Sequence, residues 1–130
     1  MSLTVPANLI DDARRGRVLD HDFVDCVRTS LPYAYDMVDR LVNELGAADR
    51  PFVDNQEEPP DETARGQVLR AMSSNAIRAA LERHFNIVLA FQNCHRVAVF
   101  APNARSSPEY REFTSIESQV LNQRPEFVNC

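Results

Sequence analysis

Apolar positions recur every three or four residues through the first third of the chain and again from residue 64 to 85, the period of helices that bury one stripe. Leu9, Ile10 and Ala13 form the first stripe, opened by Pro6 after Thr4 or Val5 and closed by Gly16. Asp20 is placed to cap a second helix carrying Phe23, Val24, Val27 and Leu31. Proline fits a first helical turn and damages an interior one, so Pro32 starts a third helix, with Ala34, Met37, Val38, Leu41, Val42 and Leu45 inward and Gly46 at its end. Asp61 or Thr63 caps a fourth, with Ala64, Val68, Leu69 and Met72 inward. The trio SSN at 73–75 offers a turn and a fresh cap for a fifth, whose apolar side takes Ile77, Ala80, Leu81 and either His84 or Phe85. Ser107 and Pro108 open a last helix with Phe113, Ile116, Val120 and Leu121, ending before Pro125.

Between the fifth and last helices the period changes. NIVLAFQ and HRVAVFA are β-branched and aromatic runs of strand length with almost nothing between them, which reads as an antiparallel hairpin near residues 86–100. Two strands alone are marginal in water, and IVLAF is apolar on both faces, so other elements must cover it. By contrast GAADRPFVDNQEEPP, residues 46–60, carries three prolines and no sustained period, and reads as a long acidic surface loop. The expected fold is a single α+β domain, mostly helical, with five or six helices and one hairpin.

Composition narrows the classes of chemistry. A chain of 130 residues, 44% hydrophobic and 25% charged, builds one core without help from a metal or disulfide. Its first twenty residues lack the basic start and apolar core of a secretory signal, and no run approaches the roughly 18 apolar residues of a membrane span, so a cytoplasmic setting without membrane contact is expected. Cys26, Cys94 and Cys130 form an odd, widely spaced set that suits a reducing compartment. All fourteen basic residues are arginine, which leaves no lysine for a Schiff base or a phosphate cradle. Gly16, Gly46 and Gly66 are too far apart for either glycine-rich phosphate loop, and H-E-x-x-H, C-x-x-C and G-x-S-x-G are absent.

The net charge of −5 hides a division along the chain. Residues 1–62 hold fourteen carboxylates against six arginines, whereas residues 63–111 hold seven arginines against Glu82 and Glu109. A basic segment ordered helix, turn, helix, hairpin is the order of a winged helix-turn-helix, whose second helix enters a DNA groove. Against nucleic acid stand a turn without glycine, a hairpin tip very short for a wing, and an acidic chain overall. The alternative is that the basic segment meets carboxylates of its own chain or of a protein partner, with Arg65, Arg70, Arg78, Arg83 and Arg96 as the contact residues.

The remaining reactive candidates are Cys94 and His95, adjacent at the hairpin, and His84 at the end of an apolar stripe. Neighbours in an extended strand point to opposite faces, so Cys94 and His95 are poorly placed to form a thiolate–imidazole dyad. His21, Cys26, His84, Cys94 and His95 supply metal-ligating atoms without the short paired spacings of zinc sites. We expect a structural role at the turn for Cys94 and His95, no metal and no cofactor, a buried apolar role for Cys26, a core-edge histidine bonded to backbone at His84, and an exposed His21. A thiol- or metal-dependent enzyme using Cys94, His95 or His84 is the third reading, behind protein binding and nucleic-acid binding.

Over nearly the full length, VDCVRTSLPYA (24–34), DNQEEPPDETARGQVLRA (54–71), LAFQNCHRVAVF (89–100) and FTSIESQVLNQRPE (113–126) resemble a family of short hypothetical proteins from Streptomyces and related actinobacteria. The resemblance implies that source and a cytoplasmic setting, and it assigns no catalytic residue. The function expected from the residues is a non-enzymatic regulatory or adaptor protein that binds a protein partner. It is expected to be a homodimer, because an isolated hairpin has two open edges and the apolar strand 96–101 can pair with its copy.

Overall fold

The computed structural model describes residues 2–92 and 95–122. Its helices are α1 (Ala7–Arg14), α2 (Asp20–Ser30), α3 (Pro32–Ala47), α4 (Glu62–Met72), α5 (Asn75–Phe85), α6 (Pro108–Phe113) and α7 (Ile116–Leu121); its strands are β1 (Phe52–Asp54), β2 (Val88–Gln92) and β3 (Arg96–Phe100). The expected α+β domain with a hairpin is therefore present, with one strand more than the periodicity revealed. Residues 52–54, inside the segment read as a loop, pair antiparallel with β3 and give the sheet order β1-β3-β2. A three-residue strand has no period of its own to read, and Pro51 next to it favours a loop reading.

This extra strand changes the dimer argument. With β1 on one side and β2 on the other, β3 is the central strand, and its backbone is not available to a second copy.

The sheet is buried on both faces, as its two-sided apolar strands require. Val53, Leu89, Val97 and Val99 join the main core with Val27, Leu31, Val38, Leu41, Val68, Met72, Ile77 and Leu81 from α2 to α5. Val88, Ala90, Ala98 and Phe100 face the other way, onto Ala104 and Phe113. There Phe100 stacks on Phe52 with ring centres 4.8 Å apart and meets Tyr110 and Phe113 edge-on.

Local sequence explains most helix ends. The Asp61, Ser74, Ser107 and Ser115 side chains accept from the backbone N–H three residues on, at Ala64, Ile77, Tyr110 and Ser118. Asn86, at φ 54°, closes α5 in the left-handed conformation that asparagine tolerates. Three expectations shift. Asp20 does not cap α2, because Leu19 is the N-cap and the Asp20 carboxylate reaches Arg83 instead. Leu69 is 38% exposed, and Gln67 is buried in its place. The last helix breaks in two at Thr114 and Ser115, since the Ser115 hydroxyl starts a new turn, which leaves Ile116, Val120 and Leu121 outside the core.

Gln67 is buried because α3 lacks a local cap. Leu31 and Pro32 offer no side-chain acceptor, and Gln67 Oε1 receives both the Tyr33 N–H (2.6 Å) and the Ala34 N–H (3.3 Å) from across the helix pair.

Candidate functional site

Three of the five arginines proposed from sequence, Arg78, Arg83 and Arg96, work at separate junctions. Arg78 donates to the Met72 carbonyl (2.7 Å) and to Asn75 Oδ1 (2.8 Å), bridging the end of α4 to the start of α5. Arg83 grips both carboxylate oxygens of Asp20, at 2.7 and 3.0 Å, and ties α5 to α2. Its hydrogen bond and charge hold the Asp20 carboxyl below the usual aspartate value. Arg96 donates to Asp54 Oδ2 and Gln92 Oε1, both at 2.7 Å, with its guanidinium 4.9 Å from the centre of the Phe113 ring. Arg105, also in the basic segment, pairs with Glu82 at 2.8 Å. Arg65 and Arg70 are half-buried on α4, and the Arg65 Nε is buried without a hydrogen-bond partner. The charge division of the sequence is thus partly resolved inside the fold: basic residues 83 and 96 meet acidic residues 20 and 54.

The reactive candidates separate. His84 is exposed rather than set against backbone. Its ring meets Phe85 edge-on at 4.7 Å, and its Nε2 lies 3.5 Å from the Tyr35 hydroxyl. His95 is buried, and its carbonyl accepts a hydrogen bond from the Asn55 side-chain amide. Cys94 lies outside the described residues. His21 is exposed beside Asp22. Cys26 is buried at 5% exposure, its thiol directed at the Thr4 carbonyl 3.5 Å away. Among the described residues no three His, Cys, Asp or Glu side chains gather as metal ligands.

A feature that sequence reading missed is a groove of about 700 Å³ formed by α1, α2 and α5. It is lined by Leu9, Ile10, Ala13 and Arg14 of α1, Asp20, Phe23 and Cys26 of α2, and Ala76, Ala79 and Arg83 of α5, together with Val5 and Val18. The α1 stripe was legible, but its placement was not. Leu9 is buried while Ile10 remains 39% exposed, and both line the groove. Val18 at 40% and Val5 at 40% extend the same apolar surface. Ala76 and Ala79 are one helical turn apart on α5, away from its buried Ile77, Ala80 and Leu81 face.

This arrangement bears on the winged-helix comparison. The order α3, β1, α4, α5, β2, β3 does follow helix, strand, helix, helix, hairpin. Yet α5, the helix that would enter a DNA groove, has its second face occupied by α2 and latched there by Asp20 and Arg83.

No helix among the described residues is long and apolar enough to cross a membrane. Comparison with curated proteins and with solved structures returns no match. A family model described as "NucS shadow ORF" matches residues 1–130, the whole chain. The protein belongs to the family described as NucS shadow ORF.

Proposed function

We propose that this protein is a non-enzymatic regulatory or adaptor protein of the actinobacterial cytoplasm that works by binding a protein partner. The observation that supports the reading is the groove formed by α1, α2 and α5, an apolar cleft open at the surface. Arg83, one of the arginines singled out from sequence, stands on its rim, which joins the charge argument to the groove. Self-association belongs to the same reading, through helical surface and not through β3. The test is affinity capture with wild-type protein and with Ala76→Glu, which puts a carboxylate in the groove wall at an exposed position. A protein retained by the wild type and lost by the variant supports the reading; identical retained sets from both sink it.

Nucleic-acid binding is the second reading, favoured by one observation. The basic segment runs α4, short turn, α5 and the hairpin β2–β3, the element order of a winged helix-turn-helix. Here the connection between α4 and α5 is Ser73 and Ser74, without glycine, and Arg78 beside it is turned back onto Met72 and Asn75. Retention of single-stranded RNA or duplex DNA that weakens steeply with salt would raise this reading above the first.

A further inference from the structure

Helix α1 is held to the rest of the fold at few points. Leu9 is its one buried residue, and it belongs to neither of the two hydrophobic core clusters. Among the described residues no α1 side chain enters a hydrogen bond or an ion pair. Space borders the helix instead: the groove shared with α2 and α5, a cleft of about 210 Å³ between α2 and residues 4–9, and another of about 590 Å³ beside residues 15–19. An element bordered by voids forgoes the dispersion contacts that fix a packed one.

The remaining fastenings lie just ahead of α1. Leu3 packs against the edge of the main core, and the Thr4 N–H donates to Ser30 Oγ at 2.8 Å. The Thr4 carbonyl faces the Cys26 thiol at 3.5 Å. Cys26 lines both the groove and the cleft beneath residues 4–9, so the N-terminal segment and α1 form its cover. At the other end the backbone bonds divide cleanly. The Gly16 and Arg17 N–H groups donate back to the Ala13 and Asp12 carbonyls, whereas Leu19 is the N-cap of α2. Val18 is left as the joint between the two units. Residues 15–19 are exposed throughout, and Gly16, at φ 67°, has no atom within 4 Å of where a Cβ would stand. Rotation at this joint displaces no packed neighbour of Gly16.

We infer that residues 2–17 form a lid that lifts as one unit about Val18 while α2 to α5 and the sheet stay folded, and that the open state bares the Cys26 thiol and the α2 surface around Phe23. The closed lid conceals both. Its fastenings, Leu3, the Thr4–Ser30 bond and Leu9, set how often it opens.

The experiment follows alkylation of the full chain by N-ethylmaleimide, with mass spectrometry of peptides separating Cys26 from Cys94 and Cys130, beside amide hydrogen exchange. Cys26 is expected to react about tenfold or more faster than opening of the whole fold allows, as reported by the α3 amides of Val38 and Leu41, and with a weaker dependence on urea. The amides of α1 should exchange at the same low free energy as Cys26 labels. Leu9→Ala should accelerate labelling about tenfold with the α3 amides unchanged, because Leu9 stands outside both core clusters. Ser30→Ala removes the acceptor of the Thr4 N–H without touching the core and should act in the same direction. Labelling of Cys26 and exchange of α1 at the free energy and urea dependence of the α3 amides would show that α1 leaves only with the whole fold, and would overturn the inference. Fast labelling with α1 amides as protected as those of α3 would show that the thiol is reached through the groove under a fixed helix, and would overturn it equally.

Discussion

Asp54 on β1 and Arg96 on β3 form an ion pair of 2.7 Å that is largely withdrawn from water, the carboxylate side chain 9% exposed and the guanidinium side chain 30%. The pair joins strands that meet from distant parts of the chain, and Gln92 and Phe113 complete the shell around the guanidinium. A pair so placed is expected to couple more strongly than an exposed one such as Arg28–Asp25, whose side chains are 56% and 61% exposed.

A double-mutant cycle with Asp54→Ala and Arg96→Met measures this directly. Removal of Asp54 alone should destabilise by about 1–3 kcal/mol, since it leaves a half-buried cation short of an acceptor. The coupling energy should be about 1 kcal/mol or more, against nearly zero for the Arg28–Asp25 cycle. Equal coupling in the two cycles would refute the argument.

Much of the fold was legible because its signals are local. The α1 to α5 stripes, the Pro32 and Pro108 starts, the Ser74 and Ser107 caps and the two-faced apolar hairpin each declare themselves within a few residues. What stayed hidden depends on distant partners. β1 is three residues whose strand character comes from pairing with β3, and Asn55 prolongs it by using its side chain like a backbone unit, accepting from the Val97 N–H at 2.7 Å. Gln92 reads as polar in an apolar strand until α6 and α7 arrive, when its amide donates to the Phe113 carbonyl and the Ser118 hydroxyl. The groove was equally out of reach, because it requires that α1, α2 and α5 be brought together.

Gln67 should behave as a helix cap despite its position inside α4. Gln67→Leu preserves approximate volume and removes the acceptor for Tyr33 and Ala34, so urea unfolding should show a loss of about 1–2 kcal/mol. An unchanged midpoint would mean that water serves the α3 start equally well.

The Asp20–Arg83 latch has a defined pH signature. The folded-state pKa of Asp20 lies below the ordinary 3.8, so the stabilisation is present above that value and fades as pH falls through the lower folded pKa. Both partners are exposed, so the effect is small. Wild type is expected to exceed Asp20→Asn slightly in urea midpoint at neutral pH, with the two curves converging below the carboxylate range. A gap that persists or widens in acid would contradict this linkage.

Glu82 has a consequence for how the molecule avoids its own kind. One of its carboxylate oxygens accepts both the Leu89 N–H and the Arg105 guanidinium, each at 2.8 Å. Leu89 lies on β2, an outer strand of the sheet, and the N–H held by Glu82 is a donor that an incoming foreign strand would need. The carboxylate and its arginine stand there as a guard, so that an apolar strand rich in aggregation-prone residues keeps its edge closed to fibril-like growth while the helical faces stay open to company.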